Sequence, residues 1–575
     1  MRFARISMAG ASAAALALVV AGCAPADGGN QDDTSATSQS ISVSVGPNDF
    51  ISYNGYTPET YSTYNSAITD RLLAGFSYFD EVGAIQPNTD LGSYELVSED
   101  PMVVEYTIAD DAVWSDGTPI TVADAVLAWA VQNPNLTGAD GPLFNSVSQD
   151  LGDTVPQGPQ GDAESKSFTV EFAAPDPDWQ IQTWMLSPAH VVAEQGGLSL
   201  EELVTAIRGG DSAALASAAE FWNTGWNTAP GTLPDEALIP SSGPYVLSSW
   251  EAGQSVTLKR NENYYGEPAA NDQLVIRFVA QDAMVQALQN GDLDVIAPQP
   301  SVDTVSQIEE LGDSVQLLTG QTLTWEHLDF NFRGNASLAN SLELRQALAM
   351  CVPRQQIVDN LIKPVNPDTV VMNAREVFPF QENYDEVVAA AYSGQYDTPD
   401  VAAAKALVDQ AGAAGTVVRI GYSAPNPRRA DEVALIKSSC DQAGFDIQDV
   451  GNADFFQPGG TQERGDYDVA IFAWAGSGQI TSGQNIYATG KPQNYGEYSN
   501  ATVDAAWNTL VTSLDESVHL EQTKIIEKQL WDDLFGIPLF AHPGVDAASA
   551  DIQNAIHSVG QSGIMWNAEK WSRAE

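Results

Sequence analysis

Histidines, serines and paired acids are where catalysis would show first in this chain, and their spacing offers little. His190, His327, His519, His542 and His557 stand far apart, and none pairs at the short intervals that a metal site uses. There is no His-Glu-x-x-His, no phosphate-binding Gly-rich loop and no Gly-x-Gly-x-x-Gly. A serine hydrolase would need a Gly-x-Ser-x-Gly elbow; Gly476-Ser477-Gly478 comes nearest and lacks that frame. Carboxylates could pair for acid–base work, but with 76 Asp and Glu such pairs arise by chance. These residues suggest no catalytic site, no metal and no cofactor, and they shift weight toward binding.

The elements that would position a binding site need a large chain, and this one has 575 residues, more than one ordinary domain. Its apolar fraction is 43%, with 13 Trp, 18 Tyr and 19 Phe, enough to bury sizeable cores. The net charge is −52, from 76 acidic and 24 basic residues, so nucleic acid is excluded as a partner: phosphate neutralisation needs clustered Lys and Arg. A field of that sign either draws cationic ligands or reflects an exposed, solubilising surface; the scattered acids favour the surface.

The first residues address the protein outward. Arg2 and Arg5 precede a small apolar run, 9–20, which is shorter than the roughly 20 residues of a bilayer-spanning helix. Val20-Ala21-Gly22-Cys23 then resembles a bacterial lipobox, which makes 1–22 a signal peptide and Cys23 a diacylated first mature residue; a simple secretory signal is the alternative. Residues 24–38 are polar and flexible, a tether. We expect the extracytoplasmic face of the membrane, reached through the lipid anchor only, since no later stretch could span a bilayer. An oxidising compartment permits a disulfide between the remaining Cys351 and Cys440, with two buried thiols as the alternative; the bridge is favoured.

Strand and helix patterns alternate along the rest. Strands are predicted at 41–45, 103–108, 256–260, 273–278, 417–422, 469–473 and 537–540. Thr121 and Asp124 open one helix, Ser199-Leu-Glu-Glu202 is a capping box for another, and Thr398-Pro399 reads as a cap with proline at the first helical position. Residues 209–243, rich in Gly, Pro, Ser and Asn, read as a long surface connection. Strands separated by helices argue for α/β lobes.

Several pieces, in order, carry a resemblance. Val113-Trp114-Ser115-Asp116-Gly117-Thr118-Pro119-Ile120-Thr121-Val122-Ala123-Asp124-Ala125-Val126 closely resembles the signature of family 5 bacterial solute-binding proteins, the oligopeptide- and dipeptide-binding group. Ser242-Gly243-Pro244-Tyr245, Lys259-Arg260-Asn261-Glu262-Asn263-Tyr264-Tyr265, the turn Asn290-Gly291-Asp292, Leu344-Arg345-Gln346-Ala347-Leu348 with Arg354, and Ile537-Pro538-Leu539-Phe540 follow in the family's order. Two departures stand out. Pro353 replaces the usual aspartate before Arg354, and suits a first helical turn. Trp474 matches a family tryptophan, but Ser477 stands where peptide binders carry the aspartate that pairs with the peptide's amino terminus.

The resemblance implies a two-lobed α/β fold, the type II periplasmic-binding-protein architecture with an extra subdomain. Its division here would be lobe I at 39–85, 236–320 and 535–575, the extra subdomain of lobe I at 86–235, and lobe II at 321–534. It implies a non-enzymatic receptor that closes on a solute and hands it to ABC permease subunits, working as a monomer. The solute would be a peptide held extended by backbone pairing; an oligosaccharide or a metal chelate is the alternative. Trp474, Ala475, Gly476 and Ser477 would form one wall, where small residues admit close backbone approach, although Trp474 could be a core residue. Tyr53, Asn54 and Tyr56 follow the first strand, at the strand end where α/β sheets bind ligands, although a plain surface turn is the alternative. Asn494 and Tyr495 are further candidates, with bracing of their own loop as the alternative.

Overall fold

The computed structural model describes residues 39–574 apart from 140, 182–185, 458 and 477; the expected signal peptide, Cys23 and the tether lie outside the described residues. Among the described residues, ten strands form one mixed sheet. In chain order they are β1 (Ser40–Gly46), β2 (Tyr245–Glu251), β3 (Ser255–Arg260), β4 (Gln273–Phe278), β5 (Val295–Ile296), β6 (Val315–Phe330), β7 (Thr416–Gly421), β8 (Phe445–Asp449), β9 (Val469–Ala475) and β10 (Gly536–Ser549). Across the sheet they run β8-β7-β9-β6-β10-β5-β1-β4-β3-β2.

Two long antiparallel strands, β6 and β10, join the halves. Val315–Gln321 pairs with Pro543–Ser549, and Trp325–Asp329 pairs with Gly536–Ala541, with a break in register between. Beside the first half, β10 meets β5 of lobe I; beside the second, β6 meets β9 of lobe II. Residues 536–541 pair with the stretch of β6 that also pairs with β9. At the break, Gly320 and Gly544 lie beneath the His557 ring, where an added Cβ would come within 2.3 and 2.0 Å of it. His557 bonds Asp546 at 2.6 Å through Nδ1 and the Gln321 carbonyl at 3.0 Å through Nε2.

Each half has its own core. Ile41 and Val43, the inward set of an alternating strand, pack in one continuous cluster with Trp114, Trp222 and Trp571. That cluster extends into the insertion, whose antiparallel sheet is Gly92–Glu99, Met102–Ile108 and Ser167–Glu171. In lobe II, Leu328, Ile471 and Ile537 pack with Cys351 and Cys440. Those two cysteines are bonded, joining the C-terminal ends of the helices Leu342–Cys351 and Pro427–Cys440.

Local signals act as their chemistry requires. The Asp124 carboxylate accepts the N–H groups of Thr121 (2.8 Å) and Ala189 (2.9 Å), and Ser199 and Glu202 form a reciprocal capping box. Gly117 takes φ +88° in the turn before the first of these helices, a conformation that favours glycine. Two expectations are corrected. Residues 209–243 are not a surface connection: Ser212–Glu220 is a helix, and Trp222 and Trp226 after it are fully buried. The alanines there suit a helix as well as a loop, and the buried tryptophans, not the polar residues, decide its place. The helix predicted from Thr398-Pro399 starts at Val401, because Asp400 caps it by accepting the Ala403 N–H.

Candidate functional site

A cavity of about 1070 Å³ lies between the insertion and lobe II. The insertion contributes Asp153, Thr154 and the stretch from Ala173 to Asp178. Lobe II contributes Trp325, the run from Arg375 to Phe378, Trp474 with Ala475 and Gly476, the loop after it to Tyr487, and one face of the helix Glu516–Asp532.

Trp474 occupies the end of β9, where the apolar run Val469–Phe472 gives way to the cavity. Its ring meets Phe472 edge-on at 5.0 Å, leans against Tyr495 at 5.6 Å and lies nearly parallel to His327 at 6.2 Å. The residue is half-buried, and its indole N–H has no hydrogen-bond partner among the described residues. Gly476 donates its N–H to the Leu323 carbonyl at 2.7 Å, and a Cβ there would stand 2.7 Å from that oxygen, so the strand's exit is built for glycine. On its other edge, β9 pairs with β7 only through Val469 and Ala470. From Ile471 to Ala475 that edge has no strand partner among the described residues.

Asp178 ties the two sides together. Its nearly fully buried carboxylate, carried by the insertion, accepts the N–H groups of Ile480 (2.8 Å) and Thr481 (3.0 Å) and the Thr481 hydroxyl (2.6 Å). Three hydrogen bonds to one carboxylate fix the loop after Trp474 against the insertion.

The charges at the wall are unequal. Arg375 is committed elsewhere: its guanidinium holds Glu527 at 2.9 Å and the Gly536 carbonyl at 2.7 Å, and it lies over Trp531. Glu527 also accepts the N–H groups of Arg375 and, at 2.8 Å, Glu376. The His519 ring bonds the Ser513 carbonyl at 2.6 Å. The Glu376 carboxylate has no hydrogen bond or ion pair among the described residues. Burial first, and then the charge of Glu527, push its pKa up to about 8 against the opposing pull of Arg375. Tyr487 is fully buried, its ring set edge-on to Phe535 at 5.0 Å, and its hydroxyl is unpartnered among the described residues.

The sequence-predicted residues separate. Trp474, Ala475 and Gly476 line the cavity together; Ser477 lies outside the described residues. Tyr53 and Asn54 do not line it. Tyr53 is buried against Trp226 with its hydroxyl donated to the Pro240 carbonyl, and Asn54 donates to the Trp222 carbonyl at 2.7 Å. The insertion covers that strand end, so these side chains became core; Tyr56, partly buried beside them, is also absent from the cavity wall. Asn494 braces its loop, donating to the Ala488 (3.0 Å) and Tyr498 (2.7 Å) carbonyls. Tyr495 supports Trp474 and, with Asn494, borders a second depression of about 610 Å³. Sequence reasoning missed Asp178, Glu376 and Tyr487. No local motif marks them, because each acquires its role from a residue distant in the chain or from the cavity itself. Among the described residues no group of three or more His, Cys, Asp or Glu could hold a metal ion, and no helix is long and apolar enough to cross a membrane.

Comparison with known proteins places this geometry. A family model described as bacterial extracellular solute-binding proteins, family 5 middle, matches residues 86–496. An uncharacterized lipoprotein of Mycobacterium tuberculosis is 28% identical, over 91% of each chain. The oligopeptide-binding protein OppA of the same species is 26% identical, over 80% of this chain and 73% of its own. Among solved structures, the periplasmic EDTA-binding protein EppA shares the fold with a TM-score of 0.79 at 22% identity, over 94% of this chain and 97% of its own.

Proposed function

Because this chain belongs to the bacterial extracellular solute-binding proteins of family 5, we propose that it captures peptides outside the membrane and delivers them unaltered to an ABC permease. The observation that carries the peptide reading is the unpaired edge of β9 from Ile471 to Ala475, which ends at Trp474 on the cavity wall. An extended peptide can add to such an edge through main-chain hydrogen bonds, leaving its side chains to looser pockets. Trp474, Ala475 and Gly476 form that wall. Similarity to an oligopeptide-binding protein supports the same ligand class.

The cavity is large for a small-molecule site, which typically spans about 300–1,000 Å³, and it suits a solute of several residues. Likeness to an EDTA-binding protein raises a chelate as the other ligand. The wall disfavours one: Asp153, Asp176, Glu376, Glu382 and Glu516 face the cavity, while Arg375 is spent on Glu527. Capture and release need no covalent step. The chain works as a monomer, held at the membrane by a diacylated Cys23, and the lobes move about 321–325 and 541–543. A thermal-shift screen tests the ligand. Short peptides should raise the melting temperature with concentration, as RT ln(1 + [L]/Kd) requires, and oligosaccharides and metal–EDTA should not. A shift with sugar or chelate alone would replace the peptide reading.

A further inference from the structure

We propose that Glu376 is the cation-recognising residue of the ligand site: its carboxylate and the Tyr487 hydroxyl oxygen take a protonated amino group of the solute. This rests on the solute-binding reading above and names the charge the solute must carry. Three observations lead to it.

Glu376 faces the cavity with nothing of its own to hold. The cation nearest in sequence, Arg375, is bound to Glu527 and to the Gly536 carbonyl, and Glu527 adds a second negative charge behind Glu376. A half-buried carboxylate that lines a cavity and has no partner in its own chain leaves a place for a cation. Second, the Glu376 head group lies against the backbone of Gly483 at the edge of the cavity. Gly483 lies so close that a Cβ would stand 2.3 Å from Oε2, so this wall has been cleared down to backbone. One helical turn on, Tyr487 donates its N–H to the Gly483 carbonyl at 3.0 Å. After burial, the charge of Glu376 is the largest influence on the Tyr487 phenol, which places the two groups in one field. Third, two buried polar atoms on the same cavity, the Tyr487 hydroxyl and the Trp474 indole N–H, lack partners among the described residues. A buried unmade hydrogen bond costs about 1–3 kcal/mol, and a ligand can make both. An ammonium group donates to Glu376 and to the Tyr487 oxygen; an oxygen elsewhere on the solute accepts from Trp474. An amine carrying a carbonyl or hydroxyl oxygen meets all three demands.

Proton movement follows from the charges that face Glu376, namely Glu527, Arg375 and the Tyr487 phenol. With a pKa of about 8, Glu376 is protonated at pH 7 in the empty site. An incoming ammonium group favours the carboxylate, so the carboxyl proton leaves to solvent as the N–H···O bonds form. Capture at neutral pH should therefore release up to about one proton per solute.

The test uses the mature protein with three probes: pooled random tripeptides with free amino termini, the same pool N-acetylated, and spermidine, an amine with no peptide bond. The free-amine pool should bind at least about tenfold more tightly than the acetylated pool. Glu376→Gln should lose that preference, the two pools binding the variant with equal affinity. Calorimetry on the wild-type protein, with one resolved tripeptide in two buffers of different ionisation enthalpy, reads proton release without any variant. If the acetylated pool binds equally well, if Glu376→Gln keeps the full preference, or if no proton is released, the assignment is overturned. If peptides fail while spermidine binds through Glu376, the peptide reading falls and the cation assignment stands. If neither free-amine probe binds, the assignment falls.

Discussion

Two carboxylates of lobe II, Glu326 and Glu376, have opposite surroundings. Glu326, on β6, is fully buried between two cations, Arg428 at 2.9 Å and Arg429 at 2.6 Å, with the His542 ring at 2.7 Å. Burial alone would raise its pKa, but Arg428, His542 and Arg429 together hold it well below the usual carboxylate range. Glu376, half-buried on the cavity wall, has no ion pair among the described residues, and burial with the charge of Glu527 raises its pKa against the pull of Arg375. The difference separates architecture from function. A buried charge compensated by its own chain holds elements together, here β6, β10 and the helix Pro427–Cys440. One left uncompensated on a cavity wall is reserved for something that arrives.

The contrast breaks most visibly at Glu326. Glu326→Gln removes the carboxylate that Arg428 and Arg429 share and should cost about 3 kcal/mol of stability in urea denaturation, with solute affinity unchanged in the variant that remains folded. At the ligand side, Trp474→Ala should do the reverse, weakening solute binding by about 2 kcal/mol in calorimetry while leaving the urea midpoint close to wild type. Equal losses of stability from both variants would erase the distinction.

How much of this was legible beforehand follows the same division. Trp474 could be read from sequence because a buried-strand pattern runs directly into Ala-Gly-Ser-Gly, so the change from core to cavity is written in consecutive residues. The helix starts at Asp124 and Glu202 were legible for the same reason, since a cap and its partner lie within one turn. Glu376 was not, because its meaning depends on Glu527, some 150 residues on, taking the arginine beside it. Tyr53 and Asn54 misled because they follow a strand end where ligands commonly bind, and nothing local reveals that an insertion covers it. The segment 209–243 failed likewise: its polar residues are near one another, and the packing partners of Trp222 are not.

A smaller effect sharpens the comparison from a third carboxylate. Asp178 is compensated by hydrogen bonds rather than by cations, and the bonds cross from the insertion to lobe II. Asp178→Ala should reduce solute affinity about tenfold, the equivalent of about 1.4 kcal/mol, and small-angle scattering should show a more open average form. Unaltered affinity would mean that the Ile480–Thr481 loop is held without it. The smallest effect is a slope. With a folded pKa near 8 against an ordinary 4.5, Glu376 binds its proton more tightly when folded. Its contribution therefore lowers stability as pH rises from about 4.5 to about 8. Glu376→Gln should flatten that decline in melting temperature, and an identical slope in both proteins would contradict the unpaired state of the group.

The core that unites Ile41 with Trp571 has a consequence for the order in which the protein is completed. Lobe II is one uninterrupted run of chain between its two crossings, whereas lobe I begins at the first strand and is finished by the last residues. A chain emerging from its amino terminus can assemble lobe II as soon as that run is clear, since compact units fold on their own. The earlier-made lobe must wait for Met565, Ala568 and Trp571. The half of the molecule synthesised first is the half that matures last, and a truncation of only a few residues at the carboxyl end strikes the amino-terminal lobe.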